Sequence, residues 1–335
     1  MADQSQRHPG PGEHGSGKEI KLLHFIYEQP DIDEIRGNPQ RVLDLIHKFE
    51  EKYKYSLMNV GAAKGKVVTD LIAELKPHTM IELGGYVGYS AILFGDAVRR
   101  AGGKRYFSLE LNPEYAAIAN MLIELAGLRD FVRIIVGRSD KSLHKLFTSG
   151  EVKQIELMFI DHYKPAYTTD LMLCEELGMI VPNVSVLAAD NVLRPGNPPY
   201  LEYVRSTVEQ KREAAKKGPI KSYNKDGMPQ RTVQSFMGED DKPSFEVLGN
   251  PNLVYKSTLH QPEGLQDAVE VSRMEWKTST SAGGQKSETG QSRLLDGAPP
   301  GRSRDAVVAP REDLPPHPVL FYDVFENFIS LPKWH

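Results

Sequence analysis

Cysteine is nearly absent from this 335-residue chain: Cys174 is its only one. A single thiol excludes an internal disulfide framework and fits a reducing compartment, and the apolar run around it makes Cys174 a core residue. No apolar run approaches the ~18 residues a membrane span requires, and the Gly-, Pro-, His- and Gln-rich start, Met1 to Lys18, has no signal-peptide core. The expected location is therefore the cytoplasm, with no membrane partner. A basic excess is also missing. The formal net charge is −4, without the cationic surplus that neutralises nucleic-acid phosphates, so the expected partner is a small molecule and the expected state a monomer. Both tryptophans, Trp276 and Trp334, lie beyond Arg273.

What is present is enough for one large α/β core: 40% hydrophobic and 26% charged residues. Residues 1–37 read as a flexible leader. Asn38-Pro39 resembles an N-cap followed by Pro at the first helical position, opening a helix with Val42, Leu45, Ile46 and Phe49 inward. Short apolar runs then alternate with helical patterns: Met80 to Leu83, Arg105 to Leu109, Val132 to Val136, Leu157 to Asp161 and Val184 to Asp190. That alternation predicts a mostly parallel sheet with helices on both faces. A polar excursion spans about 206–243. Phe245 to Leu248 and Leu253 to Thr258 are the expected closing strands, and the domain is expected to run over 38–273. Beyond it, 274–335 reads as a largely disordered extension, with Phe321, Val324, Phe325, Phe328 and Ile329 at helical spacing inside Val319 to Leu331.

Two clusters carry chemistry. The first is Glu82-Leu83-Gly84-Gly85-Tyr86-Val87-Gly88-Tyr89-Ser90, a Gly-rich strand-to-helix turn at the sheet edge where open α/β folds bind cofactors. Its glycines do not make the Gly-x-Gly-x-x-Gly array of dinucleotide binding, which disfavours a nicotinamide oxidoreductase. Glu110 ends the second strand, where a carboxylate can accept both hydroxyls of a ribose. Nicotinamide cofactors and S-adenosylmethionine both contain that ribose, so Glu110 alone does not choose between them.

The second cluster is Asp161-His162-Tyr163-Lys164 at the end of one strand and Asp190-Asn191 at the end of the next. Asp161, Asp190 and Asn191 are three hard oxygen donors of the kind Mg²⁺ accepts, although strand-end Asp and Asn often only cap helices. Lys164 lies three residues after Asp161 and can reach a metal-bound hydroxyl as a general base. A cation beside it would lower its affinity for a proton.

These residues resemble catechol O-methyltransferase over roughly Pro39 to Tyr203 and less clearly to Val271. The shared motifs are Met58-Asn59-Val60-Gly61 with Lys64-Gly65, the Glu82 to Ser90 turn, Asn112-Pro113-x-Tyr115-Ala116-Ala117, Asp161-His162-x-Lys164, Asp190-Asn191 and Pro195-Gly196. The resemblance implies a Rossmann-like methyltransferase fold with a seven-stranded sheet. It also implies Mg²⁺-dependent methylation of one catechol hydroxyl by S-adenosylmethionine. By matching position it puts Val60, Glu82, Gly84, Tyr86, Ser90, Glu110, Ser139, Asp161 and His162 around the cofactor. Asp161, Asp190 and Asn191 would hold the metal, Lys164 would be the base, and Met58, Tyr163, Lys164, Asn191 and Pro195 would line the catechol slot. Tyr163 and Ser56 stand where animal members carry slot-forming aromatics. The family's late glutamate, which contacts the second catechol hydroxyl, aligns with Val254. That loss, with the foreign tail, leaves a catalytically silent homologue as the alternative reading.

Overall fold

The computed structural model describes residues 17–234 and 241–275, all within one compact unit, Met1–Ser279. The extension from 276 onward, with the helical pattern of Val319 to Leu331, lies outside the described residues.

The first elements are α1 (Lys18–Tyr27), α2 (Ile32–Ile35), α3 (Pro39–Tyr53) and α4 (Gly61–Leu75). Asn38 caps α3 by accepting from the Arg41 amide at 3.1 Å, and Val42, Leu45, Ile46 and Phe49 are buried, as the sequence pattern predicts. Residues 17–37, read from sequence as leader, instead hold two helices. Leu22 and Ile26 of α1 and Ile35 of α2 are almost wholly buried in the same core. Leu23, Phe25, Tyr27 and Ile32 pack partly buried against that core as well, so the apolar residues of Lys18 to Ile35 dock both short helices.

The alternating region follows as β1 (Thr79–Leu83), α5 (Tyr89–Arg100), β2 (Arg105–Glu110), α6 (Pro113–Leu125), β3 (Val132–Val136), α7 (Ser139–Thr148), β4 (Leu157–Ile160), α8 (Tyr167–Glu176) and β5 (Val186–Ala189). After it come α9 (Pro198–Arg205), α10 (Val208–Ala215), α11 (Gln230–Gln234), β6 (Val254–His260) and β7 (Val269–Glu275). The seven strands order as β3-β2-β1-β4-β5-β7-β6, with β1 to β5 parallel and β7 antiparallel to both neighbours. Successive side chains on a strand face opposite ways, so each strand feeds two cores. Met80, Tyr106, Phe159 and Ala188 pack in the core that includes α3 to α6. Ile81, Phe107, Ile160 and Leu187 pack in the core that includes α7 to α9, with Cys174 among them. Strand order reverses between β1 and β4, and the carboxyl ends of the strands open a crevice there.

The expected closing strand Phe245 to Leu248 does not form; only a single bridge joins Val247 to Ile220. The last strand is β7, whose Val269-Glu270-Val271-Ser272 is fully buried. Its mix of charge and apolarity hides the alternation, because Glu270 is neutralised by a two-pronged bond from Arg205 at 2.7 and 2.9 Å.

Candidate active site

A cavity of about 1140 Å³ occupies that crevice. Its wall includes every site residue expected from sequence except Glu82: Met58, Val60, Gly84, Tyr86, Ser90, Glu110, Ser139, Asp161, His162, Tyr163, Lys164, Asp190, Asn191 and Pro195. Glu82 is wholly buried behind the wall, its carboxylate accepting from Ser108 Oγ at 2.7 Å. Burial pushes its pKa up to about 7 against the pull of the Ser108 and Ser90 hydroxyls. It shapes the turn from within rather than lining the cavity.

At one end the turn after β1 bends sharply. Gly84 sits at φ 94°, and a Cβ there would fall 2.5 Å from the Asp161 carbonyl oxygen, so only glycine lets the β1 and β4 ends close on each other. Glu110 accepts the backbone N–H of Tyr86 and of Asn112, both at 2.7 Å, and burial raises its pKa despite those bonds. Tyr86 packs edge-on against Tyr115 and donates its hydroxyl to Glu19 of α1 at 2.7 Å. The segment read as leader therefore buttresses the turn. His162 Nε2 lies 2.9 Å from Asp170, and the ring stacks on Tyr167 with centroids 5.0 Å apart.

At the other end two ammonium groups gather the oxygen donors. Lys164 Nζ donates to Asp161 Oδ1 at 2.8 Å, to Asn191 Oδ1 at 3.0 Å and to the Tyr167 hydroxyl at 2.5 Å. Lys64 Nζ donates to Asp190 Oδ2 at 2.9 Å and to Asp267 Oδ2 at 2.7 Å. Burial and the nearby Asp161 raise the pKa of Asp190, while Lys64 and Lys164 oppose the rise. Asp190 Oδ1 is buried and has charge contact with Lys64 at 2.8 Å but no aligned hydrogen bond. Such an oxygen suits a cation. No three His, Cys, Asp or Glu side chains cluster as a metal site among the described residues, so the donor set is two carboxylates and the Asn191 amide.

Sequence reasoning missed several members of this network. Val254 opens β6 opposite Glu275, at the far end of the sheet from Asp190. The carboxylate that returns to the site after β6 is Asp267, which accepts from Lys64, from Asn191 Nδ2 at 2.8 Å and from the Arg194 amide at 3.0 Å. Asn197, fully buried, donates to the Lys164 carbonyl at 2.8 Å and caps α9. Tyr167 holds Lys164 from below. Only its spacing of three from Lys164 could have signalled it.

A doubly wound sheet with a strand-end cofactor turn beside an oxygen-rich acceptor pocket defines an α/β group-transfer enzyme. Residues 33–225 match the O-methyltransferase family. Catechol O-methyltransferase of Bos taurus is 36% identical over 191 residues, covering 57% of this chain and 67% of the relative. The Mus musculus enzyme of that name is 36% identical over 193 residues, 58% of this chain and 70% of the relative. The transmembrane O-methyltransferase of Homo sapiens is 33% identical over 192 residues, 57% and 64%. Among solved structures, an O-methyltransferase from Bacillus cereus aligns at 17% identity with a TM-score of 0.47, over 75% of this chain and 99% of that one. The chain belongs to the O-methyltransferase family, within its catechol O-methyltransferase branch, and is an S-adenosylmethionine-dependent O-methyltransferase. No helix among the described residues is long and apolar enough to cross a membrane.

Proposed function

We propose that the protein methylates one hydroxyl of a catechol, with Lys164 as the base and Mg²⁺ on Asp161, Asp190 and Asn191. The observation that carries this reading is the Lys164 ammonium, buried on the cavity wall and bonded to both Asp161 and Asn191. A Mg²⁺ ion on those oxygens would supply positive charge that stabilises a phenolate.

The side chains of this protein do the rest. Glu110 accepts the ribose hydroxyls, and the Gly84 turn lets the methionine end of the cofactor approach the Asp161-His162 backbone. Met58, Tyr163 and Pro195 hold the ring so that one oxygen faces the methyl carbon. With Lys164 as the neutral amine, the hydroxyl gives its proton to Nζ, which becomes the ammonium, an oxygen lone pair forms the new O–C bond, and the S–C pair leaves on sulfur as S-adenosylhomocysteine. Tyr167 and Asn197 keep Nζ and its backbone in place, so no nucleophilic serine or cysteine is required.

Lys164→Ala tests the assignment. The expected result is a fall in kcat of about 10²-fold or more, the usual worth of a general base, with S-adenosylhomocysteine affinity changed less than about twofold. A kcat near that of the unaltered enzyme would remove the base from this reading.

A further inference from the structure

Strand β7 begins where β5 ends, because the two pair antiparallel with Ala189 opposite Glu270. The residues just before Glu270 are thereby carried beside Asp190 and Asn191, which follow Ala189. Asp267 is one of them. Its side chain is only 14% exposed and does not line the cavity, whereas Asn191 does. Both Asp267 oxygens are in use. Oδ1 accepts the amide of Arg194, the residue before Pro195 of the slot, at 3.0 Å. Oδ2 accepts from Lys64 Nζ at 2.7 Å and from Asn191 Nδ2 at 2.8 Å, and the same Lys64 ammonium holds Asp190.

An amide has one end that can serve a cation and one that cannot, so the way Asn191 is turned matters as much as its presence. Its backbone sits in the left-handed region at φ 58°, and its Oδ1 accepts from Lys164 Nζ at 3.0 Å. Turned over, the amide would set its NH2 against the Lys164 ammonium and its oxygen against the Asp267 carboxylate. Once the oxygen is taken by a cation, Lys164 no longer fixes it, and the bond from Nδ2 to Asp267 is what keeps the amide from turning. We propose that Asp267 is a positioning residue, which orients Asn191 through Nδ2 and so sets the cation affinity of the site. The inference rests on the reading above of Asp161, Asp190 and Asn191 as Mg²⁺ donors and adds the residue that aims the third. With its own oxygens engaged by Lys64, Asn191 and Arg194, Asp267 acts from behind the cavity wall rather than as a donor to the ion.

The test reads the cation directly. Mn²⁺, which takes the same oxygen donors, is titrated into the full chain loaded with S-adenosylhomocysteine and without catechol, and the free ion is counted by electron paramagnetic resonance. Asp267→Ala should weaken Mn²⁺ binding about 10- to 100-fold, the usual effect of removing the partner of a metal ligand, with S-adenosylhomocysteine affinity changed less than about twofold. Asp267→Asn, which keeps the shape but accepts at one atom instead of two, should fall between the two proteins, and it carries the comparison if Asp267→Ala does not bind the cofactor. The same substitutions are then made on an Asn191→Asp background. Either oxygen of a carboxylate can face the ion, so nothing is left there to orient, and the loss on removing Asp267 should shrink to less than about threefold. An Asp267 that acted only through its charge, or only by holding the Arg194 loop, would give the same loss on both backgrounds. That result overturns the proposal, as does equal Mn²⁺ affinity with and without Asp267, even where Mg²⁺-dependent methylation is brisk. The expected pattern with no catechol methylated would keep the role of Asp267 and remove the methyl-transfer reading.

Discussion

Gly84→Ala is the smallest perturbation that strikes the centre of the site. The added methyl would lie 2.5 Å from the Asp161 carbonyl oxygen, 2.9 Å from its carbon and 3.0 Å from the His162 Cα. Ordinary contact begins at 3.4 Å, so about 0.9 Å must be found by parting β1 from β4, and every atom in the way is backbone. Forced overpacking of this sort costs about 1–3 kcal/mol, and a φ of 94° adds roughly 1–2 kcal/mol once a Cβ is present. The expected loss is about 3–4 kcal/mol in urea unfolding. Gly102→Ala isolates the clash, because φ is 89° there and nothing stands within 4 Å, leaving strain of about 1–2 kcal/mol alone. Calorimetry should also show S-adenosylhomocysteine binding weakened at least about tenfold in Gly84→Ala and unchanged in Gly102→Ala. Equal stability losses in the two variants, with cofactor affinity intact in both, would refute the close approach of the β1 turn to Asp161.

Other substitutions probe separate parts of the account. Glu82 has its pKa raised from 4.5 to about 7 by burial, so its neutral form stabilises the fold below pH 4.5 and that contribution is lost as pH rises through 7. Relative to Glu82→Gln, the unaltered protein should therefore lose about 3 kcal/mol between those limits; parallel stability curves for the two proteins would contradict the burial argument. Asp190→Ala should abolish stimulation by Mg²⁺ while S-adenosylhomocysteine still binds, and unchanged stimulation in a metal titration would move the cation elsewhere. Away from the cavity, buried Glu175 accepts from Tyr203 and Tyr255 at 2.5 and 2.6 Å and from the Asn250 amide, while Lys211 lies 3.5 Å away without an aligned hydrogen bond. Glu175→Ala strands that lysine and should cost about 3–5 kcal/mol, and Lys211→Met should cost clearly less; the reverse order in denaturant unfolding would refute this ranking.

The parallel half of the sheet was readable because each of its strands is a short apolar run bounded by turn residues, and Asp161, Asp190 and Asn191 announce themselves by standing at strand ends. The antiparallel half was not. Val269 to Ser272 alternates apolar and polar residues that are all buried, since Arg205 neutralises Glu270 and the Ser257 and Ser272 hydroxyls lie 2.8 Å apart. Asp267 and Asn197 meet the site across long sequence separations and bear no local signature. Resemblance added positions such as Val60 and Ser139, both of which line the cavity. It had nothing to say about Val233, Asp241, Lys242 and Ser244, which acquire meaning only when Tyr163, Arg138 and Asp140 bond them beside the pocket.

The most direct test of the central claim is transfer of a labelled methyl group from S-adenosylmethionine to a panel of catechols, with Mg²⁺ and again with a chelator. The account predicts a singly methylated catechol that forms with Mg²⁺ and is suppressed when the ion is removed. Absence of product from every catechol, with S-adenosylhomocysteine still bound, would contradict it and leave a homologue that keeps the fold without the reaction.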